Sequence, residues 1–343
     1  MKMRCQRCGE PLDASARFCG ACGTAIEDPN IGRVIGGRYT LRERIGEGSL
    51  GVVYAAEQVP LRRRLAIKLL PPGAERDATT VERFRREGQV LCQLRSAHTV
   101  TTFEFDRDSD GSLYIAMELA SGKSLAEVFR AEGPFEWPRV LRVLAGLCDS
   151  LGEAHALGVV HRNLRLENIL LESRATSPDF VKVLDFGLAK LLPARPSLSP
   201  VGETVGAIEF MSPEQLMSRP IDGRSDLYAL GVLGFLLATG RHPFAEARTY
   251  GDLVGAHIKN EPPLASTVRA DLSPEVDMVF SRLLEKEPHR RFPDAQALAA
   301  LINVMLAPYA IRDAPQGDTL HVPEGEEDTA LAELPMTKPP EPS

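Results

Sequence analysis

The glycine run Gly46-Glu-Gly48-Ser-Leu-Gly51 lies between two β-patterned stretches, and no other feature constrains the chain as much. Tyr39 to Ile45 leads into it and Val52-Val53-Tyr54 leaves it. A basic turn, Arg62 to Arg64, then precedes Leu65-Ala66-Ile67-Lys68-Leu69-Leu70. A glycine run of this spacing that opens a helix is a dinucleotide fingerprint. Set between strands, it predicts instead a hairpin whose bare backbone can fold over phosphates. Lys68, on the next strand, would supply a fixed positive charge for them.

Val81, Phe84, Leu91 and Leu94 recur at helical spacing with charges between them, which predicts a helix carrying Glu87. Leu113 to Ala120 is apolar and partly β-branched or aromatic, and Gly122 punctuates its end, so it reads as a strand and then a hinge. Further on, residues 138–157, 225–240, 274–285 and 294–306 are helical by pattern.

The 343 residues, 43% hydrophobic and 25% charged, have the composition of a globular protein with one large two-lobed domain and appendages. The longest apolar run, Leu227 to Ala238, is far short of the ~20 residues needed to span a bilayer. The amino terminus, MKMRCQRCGE, lacks the apolar core of a signal peptide, so a soluble protein of the reducing cytoplasm is expected. A net charge of -7 argues against a nucleic-acid binder held by a basic surface. The 308–343 segment alone carries two basic and eight acidic residues among several prolines, and is expected to be a disordered tail.

Cys5-x-x-Cys8 and Cys19-x-x-Cys22 stand ten residues apart, each pair followed by a glycine, Gly9 and Gly23. Two residues between thiolates let a tight knuckle present both sulfurs to one metal, and the glycine tolerates the positive φ that the knuckle needs. Four soft ligands suit Zn²⁺, with iron as the alternative. Residues 1–26 resemble the small zinc ribbons that open many bacterial proteins, and residues 27–38 read as a linker long enough to uncouple the ribbon from the rest of the chain. Cys92 and Cys148, without paired spacing, read as core residues.

From about 39 to 307 the ordered motifs resemble the bacterial Ser/Thr protein kinases of eukaryotic type. They are the glycine loop, Ala66-Ile67-Lys68, Glu87, His161-Arg162-Asn163-Leu164 with Asn168, Asp185-Phe186-Gly187, Ser212-Pro213-Glu214, Asp226 to Gly231 and Arg291. The resemblance implies an α+β, bilobal protein-kinase-like fold, a small β-rich lobe and a large helical one. It implies that Gly46, Gly48 and Gly51 cover ATP, that Val53 and Ala66 pack on adenine, and that backbone groups of Glu118 and Ala120 bind its edge, with Met117 as gatekeeper. Lys68, held by Glu87, would grip the phosphates, and Asn168 and Asp185 would coordinate Mg²⁺. His161 and Phe186 would pack the lobes together, Glu214 and Arg291 would form a buried ion pair, and Asp226 would brace the catalytic loop.

Three positions depart from the family. Asn163 stands where the catalytic aspartate belongs, and an amide cannot take up a proton at neutral pH. Arg165 replaces the lysine that contacts the γ-phosphate, a planar fork in place of a compact ammonium. Ala207 replaces the threonine that ties these two together. The nucleotide ligands are retained while the transfer cluster is altered, which implies a pseudokinase, an ATP-binding switch or scaffold with a protein partner. The alternative is an active atypical kinase acting on protein Ser or Thr. Ser197, Ser199 and Thr204 lie between Asp185 and Glu214; in the family the arginine at the position of Arg162 often pairs with a phosphorylated loop residue, so the resemblance implies an upstream kinase acting on Ser199 or Thr204.

Overall fold

The structure is a computed structural model that describes residues 5, 7–11, 18–24, 28–48, 51–70, 78–174, 177–186 and 208–310. The glycine run forms the expected hairpin. Strands β2 (Tyr39–Gly48) and β3 (Gly51–Gln58) pair antiparallel, with Gly46 opposite Val53 and Gly48 opposite Gly51. Strand β4 (Arg63–Leu69) pairs with β3 so that Lys68 stands opposite Val53. Gly51 has φ +129°, and a Cβ there would lie 2.0 Å from the Leu69 carbonyl oxygen. Only glycine lets β3 start this close to β4.

Strands β5 (Thr102–Arg107) and β6 (Leu113–Met117) complete a six-stranded sheet, ordered β1-β2-β3-β4-β6-β5 with β1 at Val34–Ile35. The period-2 alternation divides its side chains. Leu41, Tyr54, Ile67 and Ala116 join one apolar cluster. Ala66 and Met117 join another, with Val53, Ala120 and Leu184 against them. Helix α1 (Ala78–Leu91) is the helix expected around Glu87.

The helical lobe begins at α2 (Leu125–Glu132), started by a capping box between Ser124 and Glu127. Helix α3 (Trp137–Ala156) follows, and β7 (Lys123–Ser124), just before α2, joins β8 (Ile169–Arg174) and β9 (Ser177–Val183) in a three-stranded sheet. Helices α4 (Pro213–Leu216), α5 (Gly223–Thr239), α6 (Tyr250–Lys259), α7 (Ala265–Val268), α8 (Pro274–Leu283) and α9 (Ala295–Ala310) complete it. Helix α5 contains the longest apolar run and is buried on all sides, with Leu227, Leu230, Leu233 and Leu237 fully enclosed. A helix apolar all round belongs inside a core, where each such leucine contributes about 1.5–3 kcal/mol relative to exposure. Gly240, left-handed at φ 76°, ends it by donating to the Leu236 carbonyl. Among the described residues, no helix is long and apolar enough to cross a membrane.

Residues 28–38 pack onto the sheet, where a free linker was expected. Leu41 N donates to Arg33 O and Gly32 N to Leu41 O, β1 adds to the edge of β2, and Ile35 is fully buried. The stretch reads as a linker in sequence because one buried isoleucine and backbone hydrogen bonds leave no periodic signal. Cys148 is buried as expected, and Cys92 is half-buried. From residue 311 on, the expected acidic tail lies outside the described residues.

Candidate functional site

Lys68 comes from β4 and Asp185 from just beyond β9, and the two meet between the glycine hairpin and the helical lobe. Lys68 is 4% exposed, and its Nζ donates to Asp185 Oδ2 at 2.7 Å. A buried ammonium requires a partner of this kind. Asp185 holds φ +61°, a left-handed conformation that few non-glycine residues adopt. The preceding residue, Leu184, donates its N–H to Asn168 O at 2.9 Å. Asn168 Nδ2 in turn donates to Asn163 O at 2.7 Å. Hydrogen bonds thus bring Asn163, Asn168, Asp185 and Lys68 together from three separate segments. A cavity lined by Leu91, Leu94, Ile115, Met117, Asp185 and Phe186 adjoins them.

The loop bearing Asn163 is held from below by Asp226 in the first turn of α5. Asp226 accepts from His161 N at 2.8 Å, Arg162 N at 2.9 Å and His155 Nε2 at 2.7 Å. Arg162 sits at φ +66° and its carbonyl accepts from Gln215 Nε2 at 2.8 Å. His161 is fully buried, which pushes its imidazole pKa down. The neutral ring donates through Nε2 to Leu184 O at 2.8 Å and accepts at Nδ1 from Asn163 N at 3.3 Å, which fixes its tautomer. Its edge meets the Phe186 ring, centroids 4.7 Å apart. The backbone at position 163 is therefore held through both its N–H and its carbonyl, and the residue there carries an amide. Arg165 Nε pairs with Glu167 Oε2 at 2.5 Å.

Ala66 stands opposite Met117 across β4 and β6, and both are buried with Val53 and Ala120 against them. These are the side chains expected around adenine. Glu118 donates its N–H to Thr101 O at 2.8 Å, and its Oε2 accepts from Thr101 N at 3.1 Å and from Lys182 Nζ at 2.9 Å. Burial alone would raise the Glu118 carboxyl; the Lys182 and Thr101 hydrogen bonds outweigh it and hold the pKa below the usual range. Sequence reasoning missed Lys182. The signal was a lysine within the apolar run Phe180-Val-Lys-Val-Leu184, three residues before Asp185.

In the helical lobe, Arg291 grips Glu214 with two hydrogen bonds, Nη1 to Oε1 at 2.7 Å and Nη2 to Oε2 at 2.9 Å. Ser225 Oγ adds a third at 2.6 Å. Burial raises the Glu214 carboxyl, and Arg291 and Ser225 reverse that and hold it low. The expected ion pair is present.

In the ribbon, Cys5, Cys8, Cys19 and Cys22 bring their Sγ atoms within 4.8 Å of one another. Gly9 and Gly23 take φ of 74° and 68°, and their N–H groups donate back to Cys5 O and Cys19 O. Two knuckles thus present four soft sulfurs to one point, a donor set that fits tetrahedral zinc. The Glu87 side chain, Gly187, Ala207, Ser197, Ser199 and Thr204 lie outside the described residues.

Residues 39–301 match the family model "Protein kinase domain", and residues 4–26 match "zinc-ribbon domain". Serine/threonine-protein kinase pkn3 of Myxococcus xanthus is 37% identical over 81% of this chain and 51% of its own length. Serine/threonine-protein kinase PksC of Streptomyces coelicolor is 37% identical over 77% of this chain and 48% of its own. The chain thus spans about half the length of these curated relatives. The crystal structure of the Mycobacterium tuberculosis PknI kinase domain superposes with a TM-score of 0.63 at 26% identity, covering 81% of this chain and 98% of that one. With the glycine hairpin, the Lys68–Asp185 pair and the braced loop at Asn163 in place, the chain belongs to the protein kinase family and carries a zinc ribbon at its amino-terminal end.

Proposed function

We propose that the chain binds ATP with Mg²⁺ in the cleft marked by Lys68, that its phosphoryl transfer is weak or absent, and that it acts as a nucleotide-dependent switch or scaffold for a protein partner. The observation that carries this is the convergence of Lys68, Asn168 and Asp185 on a loop whose position 163 is an amide. The donor set fits the group. Lys68 offers a compact cation for the α- and β-phosphates, and Asp185 and Asn168 offer the hard oxygens that Mg²⁺ prefers. Gly46, Gly48 and Gly51 would cover the phosphates, Val53, Ala66 and Met117 would bound the adenine, and backbone groups of Glu118 and Ala120 would meet its edge. ATP would supply a transferable γ-phosphoryl group, and Asn163 can orient a hydroxyl but not deprotonate it.

The ribbon, residues 1–26, would hold one Zn²⁺, and four reduced thiolates suit a reducing compartment. Residues 39–307 would be the kinase-like domain and 308–343 an acidic tail. Glu87 would hold Lys68, and Ser199 or Thr204 would receive phosphate from an upstream kinase and pair with Arg162. A second reading, an active atypical Ser/Thr kinase, is favoured by the secure placement of Asn163 and by the curated relatives' names.

The test is a thermal melt with and without millimolar Mg·ATP. The native chain should gain stability by mass action, and Lys68→Met and Asp185→Asn should lose the gain. An unchanged melt of folded native protein would sink the nucleotide reading.

A further inference from the structure

The segment between the ribbon and the hairpin is stitched to the strands that carry the glycine loop. Asp28 Oδ2 accepts from the Tyr54 hydroxyl at 2.9 Å, and Asn30 Nδ2 donates to the same hydroxyl at 3.0 Å. Asp28 Oδ1 accepts from Asn30 N at 2.9 Å, so the two residues form one turn around that oxygen. Tyr54 is 1% exposed, and its hydroxyl is satisfied from both sides by residues 28 and 30. Burial pushes the phenol up to about 12, so it remains a donor. Tyr54 lies next to Val53, and across β2 and β3 it stands opposite Arg44, two residues before Gly46.

Arg44 extends the chain of contacts to the loop itself. Its guanidinium pairs with Glu47, between Gly46 and Gly48, and lies 4.0 Å from Asp28 Oδ2. Arg44 Nε is buried with no hydrogen-bond partner among the described residues, which leaves the guanidinium to its carboxylate neighbours Glu47 and Asp28. A second set of contacts holds the strap at its other end: Arg33 Nη2 meets Asp108 at 2.8 Å, and Gly36 N donates to Asp108 at 3.1 Å.

We propose that Asp28 and Asn30 are positioning residues for the glycine loop: through Tyr54 and Arg44 they fix the two strands whose turn would cover ATP, so nucleotide affinity depends on the strap that succeeds the zinc ribbon. The proposal rests on the ATP-binding reading. Asp28 touches no reacting atom; it acts by restricting the opening of the β2–β3 hairpin.

The test uses the full chain with Asp28→Ala, Tyr54→Phe and the double variant. Amide hydrogen exchange over residues 44–54 is read without nucleotide, and the dissociation constant of a fluorescent ATP analogue is read with Mg²⁺. One hydrogen bond is worth roughly a 2- to 12-fold change in such an equilibrium. Each single variant should weaken binding and speed exchange within about that range, and the double should do less than the sum of the two, because both break the Asp28–Tyr54 hydrogen bond. A lower melting temperature with unchanged exchange and affinity would reduce the strap to a structural role and overturn the proposal. Should Asp28→Ala fail to fold, Tyr54→Phe, which removes only the hydroxyl, decides the same question. Loss of analogue binding by the native chain would strike the ATP reading, and the exchange arm would still decide whether the strap positions the loop.

Discussion

Asn168 donates its side-chain amide to the backbone carbonyl of Asn163 at 2.7 Å. One of the residues expected to hold metal therefore fixes the residue that stands where the catalytic base belongs. The loop is braced from both sides, with Asp226 below it and His161 locked in one tautomer. What is altered at position 163 is the charge of a carboxylate, alongside the replacements at Arg165 and Ala207.

Restoring that charge is the direct test of the switch reading. Phosphate incorporation by the native chain should stay near that of Asp185→Asn, and Asn163→Asp should raise it at least tenfold, since a general base contributes typically ~10²- to 10⁴-fold. Native incorporation well above the Asp185→Asn control would establish the atypical-kinase reading instead.

Lys182 ties the expected adenine edge to the strand that leads to Asp185, through Glu118 at 2.9 Å and Thr99 O at 3.3 Å. Lys182→Met should leave the Glu118 carboxylate without its cation and weaken Mg·ATP analogue binding by roughly tenfold, with Lys182→Arg recovering part of it. Titration of the folded variants gives the answer, and equal affinities would remove Lys182 from the nucleotide site.

Breaking the Glu214–Arg291 pair one side at a time should be costly. Arg291→Met should cost about 3–5 kcal/mol, because it leaves a buried carboxylate with no cation. The pKa of Glu214 is lowered in the fold, so its contribution is present above the ordinary value of 4.5 and lost as pH falls below it. Glu214→Gln should flatten the stability profile in that acid window. A denaturant series from pH 7 down to the lowest pH at which the protein refolds would show an unaltered slope if the pair contributes nothing.

Elemental analysis of protein purified without chelators should find one zinc per chain, and Cys19→Ser should lower it. Iron with visible colour would favour the iron alternative, and the absence of both metals would defeat the site. Chelation should unfold the ribbon and leave melting of the kinase domain in place, since the strap's anchors to Tyr54 and Asp108 lie downstream of the four cysteines.

Features that depend on local spacing were readable from the chain itself. The glycine run between strands, the paired Cys-x-x-Cys knuckles and the helical periodicities of α3, α5, α8 and α9 each act over a few residues. The backbone conformations they require follow from residue type alone. The family's motif order also singled out Lys68, Asn168 and Asp185, which the fold brings together, and marked Asn163 as a departure from the motif. Tertiary structure decided which side chains meet across long separations. Asp28 with Tyr54, Lys182 with Glu118 and Arg33 with Asp108 join residues 26 to 75 positions apart. No periodicity records such pairs, because each is a single polar contact whose partner is chosen by the packing of the sheet around it. Residues 28–38 show the limit: their composition reads as a free linker, and only the assembled sheet edge, with a pocket for Ile35 and unpaired backbone on β2, converts them into a strap.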